Sequence, residues 1–275
     1  MKRFDNIIIA SDIDGTFLDR EGRLVERNLE RLEYFKENGG HFTLATGRAP
    51  LHILDSVPNA AELLNMPAIT VNGCCLYDFS SGNVIEGYPL DAEGARELVS
   101  FARTIDKGVG IRLGTVRGLL TDTPDNIYLH NDMTKGTSEK KVLPMDRWHE
   151  ETFYKLVLRS TPESLDEIRE RLEDKIDGRY EITRSWSTIL EVLPKGRSKA
   201  EMLLEMANAR FCGKCRIIAV GDYENDLEML MAADVSVCPS NAVDSVKKVC
   251  THCLCANDDG VIGDIIDMLD EKYLL

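Results

Sequence analysis

A short apolar run near the start of this 275-residue chain, Ile7–Ala10, ends in two aspartates. Such a run predicts a buried strand, which places Asp12 and Asp14 at its carboxyl end. Burying one charge there is costly, and burying two like charges requires a cation as partner. Mg²⁺ suits this arrangement because it prefers hard oxygen ligands. The alternative is a solvated Asp-x-Asp-Gly turn, and the run alone leaves both interpretations open.

Further polar motifs follow in a fixed order along the chain. Because parallel strands bring their carboxyl ends to one edge of a sheet, such residues are expected to meet there. Together they supply the carboxylates, hydroxyl and ammonium that phosphoryl transfer requires. The motifs are Thr46-Gly47-Arg48 after the strand-like His41–Ala45, Ser198-Lys199 before the periodic stretch Met202, Leu203 and Met206, and Gly221-Asp222 with Asn225-Asp226 after Arg216–Val220.

This ordered set resembles the motifs of the haloacid dehalogenase-like superfamily, and more closely those of its Cof-type branch of small-molecule phosphatases. Asp12–Thr16 is similar to the first motif, Thr46–Arg48 to the second, Lys199 to the third and Gly221–Asp226 to the fourth. The segment Ile69–Gly73 also resembles the branch's Asn-Gly segment after the third strand. The resemblance spans nearly the whole chain.

The resemblance implies a set of catalytic roles. Asp12 would attack phosphorus and form an aspartyl phosphate. Asp14 would protonate the leaving oxygen and then deprotonate the water that hydrolyses the intermediate. Mg²⁺ would be held by the carboxylate of Asp12, the main-chain carbonyl of Asp14 and the carboxylate of Asp222. Asp226 would orient Lys199 or a metal-bound water.

Phosphate binding is implied for five residues, namely Thr46, Gly47, Arg48, Lys199 and Asn225. Four of them have a simpler alternative, which for Lys199 is a solvated residue at a helix start. Thr46, like Thr16, is also a reasonable helix N-cap, and Asn225 is either near the metal or a helix cap. Arg48 is alternatively a partner in a salt bridge at the sheet edge. Lys195 competes with Lys199 for the ammonium role, and Lys199 is preferred because it immediately precedes the amphipathic helix.

Strands that alternate with helices predict an α/β fold with a Rossmann-like parallel-sheet core. The pattern changes near residue 86, where a second series of strands and helices begins. We therefore expect a discontinuous catalytic core of residues 1–85 and 192–275, and an inserted α/β cap domain of residues 86–191. In the resembled family such caps close on the substrate. Within the insert, Asn131–Asp146 is expected to be a surface loop.

Substrate specificity is predicted to involve Asn72, Arg184 and Trp186. The segment Arg184–Ser187 is expected to be a polar turn just before the strand Thr188–Leu193, which returns the chain to the core. Arg184 offers a cation and Trp186 a ring face or an indole N–H. The alternative is that Trp186 only packs within the cap.

The net charge of −14, from 33 Lys and Arg against 47 Asp and Glu, disfavours nucleic acid and anionic lipid as partners. No apolar run approaches the roughly 20 residues of a membrane span, and the N-terminus lacks a signal-peptide layout. We therefore expect a cytoplasmic protein. A phosphate-ester enzyme with this charge needs local positive charge, which Mg²⁺, Arg48 and Lys199 would supply.

The eight cysteines include a Cys-x-x-Cys pair at Cys212 and Cys215 and a group between Cys250 and Cys255. A zinc site is the sharper interpretation. Packing is the simpler one, because Cys253 and Cys255 alternate in an expected late core strand and Cys238 ends another. Buried thiols behave as small apolar side chains, so packing is preferred. The five histidines show no ligand spacing.

The prediction is a Mg²⁺-dependent phosphatase acting on a small phosphorylated metabolite, such as a sugar phosphate or a phosphorylated cofactor. A phosphomutase is the nearest alternative, because relatives with similar caps return the phosphoryl group to a sugar. A catalytically silent binding protein is a second alternative, against which the intact Asp12, Asp14, Lys199 and Asp222 argue. Neither the specific substrate nor the oligomeric state can be read from the sequence.

Overall fold

This computed structural model describes residues 2–123, 139–176 and 178–273. The chain divides into two compact units. The first comprises Met1–Gly47, Ser56–Glu86 and Ser198–Leu275, and the second comprises Arg48–Asp55 and Gly87–Arg197. The domain boundaries predicted at residues 85–86 and 191–192 remain a proposal.

The strands of the described residues are, in chain order, β1 (Ile7–Ser11), β2 (His41–Leu44), β3 (Ala68–Thr70), β4 (Cys75–Asp78), β5 (Asn83–Gly87), β6 (Gly110–Gly114), β7 (Gly118–Thr121), β8 (Glu139–Val142), β9 (Lys155–Arg159), β10 (Tyr180–Trp186), β11 (Ile189–Pro194), β12 (Arg216–Val220), β13 (Val235–Pro239) and β14 (His252–Leu254).

The α-helices of the described residues are Glu26–Glu37, Pro50–Ile53, Ala60–Leu63, Ala92–Ile105, Pro162–Glu173, Lys199–Phe211, Leu227–Ala232, Asp244–Lys247 and Val261–Tyr273. Side chains cap three of the longer ones. The side chain of Asp91 accepts from two backbone N–H groups of the helix Ala92–Ile105. The side chain of Thr161 accepts from the backbone N–H of Ser164, and the side chain of Ser198 accepts from the backbone N–H of Glu201. None of the described helices has the length and hydropathy that a membrane span requires.

The first unit is built on a five-stranded sheet in the order β14-β13-β12-β1-β2. All neighbours are parallel, and an isolated parallel bridge between Ala45 and Ile69 places β3 beside β2. The chain runs outward from β1 to β3, then returns to the other side of β1 at β12. The direction of the strand order therefore changes between β1 and β12, where open α/β sheets form their binding crevices. The predicted parallel-sheet α/β fold is confirmed.

Continuous apolar runs form the two central strands because both faces of the sheet are covered. Ile8 and Ile9 of β1, and Ile218 of β12, are fully buried. The first and last long helices, Glu26–Glu37 and Val261–Tyr273, pack against each other. Beyond β3 the chain forms a hairpin in which β4 and β5 are joined at Gly82, whose φ is +70°.

The second unit contains a six-stranded sheet in the order β10-β11-β9-β6-β7-β8. Its neighbouring strands are antiparallel, except that β7 and β8 are parallel. One face of the sheet, including Leu156 and Leu158, forms a core with residues such as Leu98 and Ile168 of the helices Ala92–Ile105 and Pro162–Glu173.

Two expectations about the second unit were wrong. Arg184 and Trp186 lie in β10 rather than in a turn, and the reversal to β11 falls at Ser187 and Thr188. In the expected loop Asn131–Asp146, residues 131–138 lie outside the described residues, but Glu139–Val142 forms β8. Both missed strands are sheet edges, where polar residues interrupt the apolar pattern that predicts a buried strand.

Candidate active site

The two central strands of the first unit bring Asp12 and Asp222 together. Ser11 pairs with Val220 at the carboxyl ends of β1 and β12, and the N–H of Asp12 donates to the carbonyl of Val220 at 2.9 Å. Asp222 follows two residues after β12 ends. Both carboxylates are 7% exposed. The pairing of two parallel strands thus buries two acidic groups at the point where the strand order reverses.

Lys199 supplies the positive charge between these acids. It is the first residue of the helix Lys199–Phe211 and is 1% exposed. Its Nζ donates to Oδ1 of Asp12 at 2.7 Å and to Oδ1 of Asp226 at 2.8 Å. Lys195, the competing ammonium, instead donates to Glu181 at 2.6 Å within the second unit. The structure therefore brings Lys199, and not Lys195, to the predicted nucleophile.

Asp226 is fully buried and uses both carboxylate oxygens within the chain. Besides holding Lys199, it accepts at Oδ2 from the N–H groups of Asp222 and Tyr223, at 3.1 and 3.2 Å. A side chain at Gly221 would put its Cβ 2.4 Å from the Asp226 carboxyl carbon. Asp226 thus holds both the lysine and the backbone that carries Asp222.

Burial dominates the electrostatics of this group. It raises the pKa of Asp12 well above its ordinary value, because the pairing with Lys199 offsets only part of the cost and three other aspartates add to it. It raises the pKa of Asp222 to about 7, with Asp226 as the next cause. For Lys199, burial lowers the pKa, but the charges of Asp12 and Asp226 outweigh it and keep the ammonium protonated.

The donor set fits a hard divalent cation. Oxygens of Asp12, Asp222 and Asp226 lie within 4.8 Å of one another, and all three residues are buried. If all three carboxylates are ionised, the ammonium of Lys199 compensates one of their three negative charges. In that state two negative charges would be left without compensation in a poorly hydrated site, and a divalent ion that prefers oxygen ligands would balance them.

Gly15 allows the first motif to approach Asp222. Its φ of +76° lies in the left-handed region, and a Cβ there would fall 2.4 Å from Oδ2 of Asp222. The next residue, Thr16, donates from its hydroxyl to Oδ1 of Asp222 at 3.2 Å, so it binds a carboxylate rather than capping a helix. Asp14 is exposed just before this turn.

The second motif meets the Asn-Gly segment at the end of β3. The N–H of Asn72 donates to the carbonyl of Thr46 at 2.9 Å, and Asn225 donates from Nδ2 to Oδ1 of Asn72 at 3.1 Å. A Cβ on Gly47 would stand 3.1 Å from the same Oδ1. Val71 and Asn72 have φ of 52° and 55°, a strained geometry for a β-branched residue in particular. These residues form one polar wall of the first unit.

The remaining predicted residues belong to the second unit. Arg48 lies there, half-buried. Arg184 is buried, donates to the carbonyl of Ser187 at 2.7 Å and pairs with Asp166. The bond to Ser187 stabilises the β10–β11 hairpin, and the ion pair joins it to the helix Pro162–Glu173. Trp186 is 53% exposed.

The cysteines show no shared metal geometry within the described residues, where the three-aspartate group is the one cluster of suitable ligands. Cys74, Cys75 and Cys238 are buried, as expected for packing. The expectation that Cys253 lies in a core strand was wrong, because β14 is the edge of its sheet and Cys253 is exposed.

Sequence reasoning missed the loop after β13. Asn241 donates from Nδ2 to the carbonyl of Gly15 at 2.8 Å, and the N–H of Val243 donates to the carbonyl of Asp222 at 3.0 Å. The available signal was positional, because Asn241 lies two residues after a third parallel strand whose carboxyl end is at the same sheet edge.

Comparison with known proteins identifies the family. The haloacid dehalogenase-like hydrolase family matches residues 9–266. HMP-PP phosphatase of Yersinia pseudotuberculosis is 30% identical over 247 residues, which cover 88% of this chain and 86% of that protein. 5-Amino-6-(5-phospho-D-ribitylamino)uracil phosphatase YitU of Bacillus subtilis is 26% identical over 268 residues, covering 92% of this chain and 94% of YitU.

The fold agrees with these matches. The crystal structure of SMU.1108c from Streptococcus mutans superposes with a TM-score of 0.83 at 21% identity, over 98% of this chain and 99% of that one. The sequence resemblance is thus confirmed: the chain belongs to the haloacid dehalogenase-like hydrolases, in their Cof-type branch.

Proposed function

We propose that this protein is a Mg²⁺-dependent phosphatase that hydrolyses a small phosphorylated metabolite through an aspartyl phosphate on Asp12. The observation that carries the proposal is the buried group in which Lys199 bridges Asp12 and Asp226 beside Asp222. Burying three carboxylates around one ammonium is costly, and a purely structural role would not require it. A silent binding protein has no need of such a group.

Asp12 is the nucleophile in this proposal. Lys199 holds its Oδ1, which leaves Oδ2 to attack phosphorus. A phosphorus–oxygen bond to Asp12 forms while the bond to the leaving alcohol breaks, and Asp14 gives that alcohol a proton. Water then attacks the same phosphorus and gives a proton to Asp14, which releases inorganic phosphate and restores Asp12.

The chain's own groups would stabilise the charge on the phosphoryl oxygens. The ammonium of Lys199 and the hydroxyl of Thr46 are the donors assigned to this role, and Gly47 leaves room for the phosphate to approach the backbone. Asp12, Asp222 and the main-chain carbonyl of Asp14 would hold Mg²⁺. Bound there, it neutralises the repulsion between an anionic nucleophile and an anionic ester.

The relatives support the substrate class. Both carry phosphatase names, and that of YitU specifies a phosphorylated ribitylamino-uracil, which is a small polar molecule. We extend to this chain the class that such names share, a phosphate ester of a small metabolite, and not either individual substrate.

A panel of phosphorylated metabolites, with p-nitrophenyl phosphate as an activated reference, tests the proposal by phosphate release. We expect hydrolysis with Mg²⁺, loss of hydrolysis after chelation, and recovery when Mg²⁺ is restored. Asp12→Asn, purified identically, controls for contaminating phosphatases. Absence of release from every substrate in the presence of Mg²⁺ overturns the proposal, and return of the phosphoryl group to a second position on a sugar identifies a mutase.

A further inference from the structure

The loop after β13 contacts both aspartate motifs of the first unit. Through the N–H of Val243 it reaches the carbonyl of Asp222, and through the side chain of Asn241 it reaches the carbonyl of Gly15. Asn241 itself lies at the surface. The side-chain amide of Asn241 therefore contacts Gly15, the residue directly after the predicted acid Asp14.

Asn241 is held in a fixed orientation from its other side. Its Oδ1 accepts from the N–H of Asn257 at 3.0 Å, and Nδ2 of Asn257 donates to the carbonyl of Leu18 at 2.8 Å. These bonds link the carbonyls of Gly15 and Leu18 through two asparagines. The turn between those carbonyls is closed by the N–H of Leu18, which donates to Ile13 at 3.0 Å. Both ends of the turn are therefore fixed.

Gly15 has little freedom within this arrangement. On one side, Oδ2 of Asp222 occupies the space that a Cβ would take, 2.4 Å from its ideal position. At its carbonyl the amide of Asn241 donates at 2.8 Å. The backbone is held at a φ of +76°, outside the region that most residues prefer. Asp14 is exposed, and this turn fixes the backbone from which its side chain extends.

We propose that Asn241 is a positioning residue for Asp14. By fixing the carbonyl of Gly15, it sets where the Asp14 carboxyl group stands when a proton passes to the leaving alcohol. The inference rests on the proposed phosphatase function. Asn241 need not contact the substrate to have this effect.

Loss of the hydrogen bond between Asn241 and Gly15 should affect the reaction rate more than the stability of the fold. Loss of a hydrogen bond to an exposed carbonyl should change the stability of the fold little, because water replaces the lost donor. Misplacing a catalytic group by about 1 Å can lower the rate about 100-fold. The loss falls on poor leaving groups, since an activated aryl phosphate departs without full protonation.

Asn241→Asp tests the inference with little change of shape. The variant keeps an oxygen for the N–H of Asn257 but replaces the donor to Gly15 with a second oxygen. Asp14 also acts in the later hydrolysis of the aspartyl phosphate, which all esters share, so kcat/KM is the parameter to compare. We expect kcat/KM on an alkyl phosphate to fall at least about tenfold, and kcat/KM on p-nitrophenyl phosphate to change less than about threefold. Ser240→Ala, one residue earlier on the exposed loop, is the matched control and should leave both rates unchanged. Equal losses on the two esters, or no loss, overturn the inference.

Amide hydrogen exchange provides a readout that does not require turnover. In Asn241→Asp, the amides of residues 14–17 should exchange faster than in the wild type, while those of β1 should not. Unchanged exchange in that turn overturns the positioning role, whatever the activity. If the wild-type protein releases phosphate from no ester, the proposed function fails by that result alone, and exchange still decides whether Asn241 holds the turn.

Discussion

Each charged residue in the candidate site depends on its neighbour for burial. Lys199 has two carboxylate partners, and Asp226 has the lysine and two backbone N–H groups. Removing one member therefore leaves the others with uncompensated charge, as expected when a buried pair is broken. Substitutions that keep the shape of the side chain are the informative ones, because they separate loss of chemistry from loss of fold.

Asp12→Asn should lower kcat by several orders of magnitude while the protein remains folded. The amide oxygen still accepts a hydrogen bond from Lys199, but it lacks the negative charge that attacks phosphorus. Circular dichroism and steady-state kinetics measure the two effects. Asp258→Asn is the matched control, because Asp258 pairs at the surface with Arg20 and should retain full activity. Hydrolysis by Asp12→Asn near the wild-type rate would rule out the covalent mechanism.

Gly73→Ala should destabilise the protein and lower its activity. Gly73 has a φ of +91°, and a Cβ there would lie 2.0 Å from the carbonyl oxygen of Ser198, directly before Lys199. The helix that begins with Lys199 must therefore shift. Gly22→Ala is the control, because Gly22 has a φ of +78° and no atom within 4 Å of its Cβ position.

The control separates backbone strain from collision. Each substitution carries the roughly 1 kcal/mol cost of a left-handed alanine, and only Gly73→Ala adds the collision. Urea denaturation midpoints and kcat measure the difference. Equal midpoints and equal activities in the two variants would show that the contact with Ser198 is not important.

Among the elements, those buried on both faces were predictable and sheet edges were not. The runs Ile7–Ala10 in β1 and Ile217–Val220 in β12 are apolar, because parallel strands are covered on both sides. In contrast, β8 and β10 carry charged and polar residues at the edges of their sheet. In the short helix Leu227–Ala232, the apolar Met231 is 64% exposed. In six residues, helical periodicity has too few repeats to define a face.

In the candidate site, residues at the ends of central elements were likewise easier to predict than residues in loops. Asp12, Lys199 and Asp222 were predictable because they lie directly at the ends of central elements. Asn241 was not, since a loop residue's side-chain direction is fixed by contacts such as that with Asn257, which no local pattern encodes. The nearness of Asn72 to Asn225 likewise depends on a strained turn at Val71.

Thiol accessibility tests the element-scale assignment of β13 and β14. Cys253 on the edge strand and Cys212 after a helix are exposed, so a water-soluble disulfide reagent should modify these two rapidly. Cys238 on β13 pairs in register with Cys253 but is buried, and burial raises the pKa of its thiol. Cys238 should therefore react only after the protein unfolds. Cys253→Ser should remove one rapid equivalent. Stoichiometric zinc in the purified protein, with loss of folding on its removal, would contradict the packing role.

At the scale of the whole molecule, net charge and site charge have the same sign. The chain carries a net charge of −14, and its candidate site adds three buried carboxylates to one ammonium. The site lies where the strand order reverses, so the fold itself brings like charges together. In the proposed function a bound cation would supply much of the local charge balance, and metal binding would then be linked to folding.

Mg²⁺ should therefore raise the midpoint of thermal unfolding of the wild-type protein. A ligand at 100 times its dissociation constant stabilises the folded state by about 2.7 kcal/mol, which corresponds to a rise of roughly 5–10 °C for a chain of this size. Asp222→Asn should lose most of this rise, because it removes a charged ligand of the proposed site without changing its shape. Asp258→Asn, at the surface, should keep it. Scanning calorimetry with and without Mg²⁺ measures each midpoint independently of any substrate. If Asp222→Asn is stabilised as strongly as the wild type, the cation binds elsewhere, and the carboxylates at the ends of β1 and β12 are not its ligands.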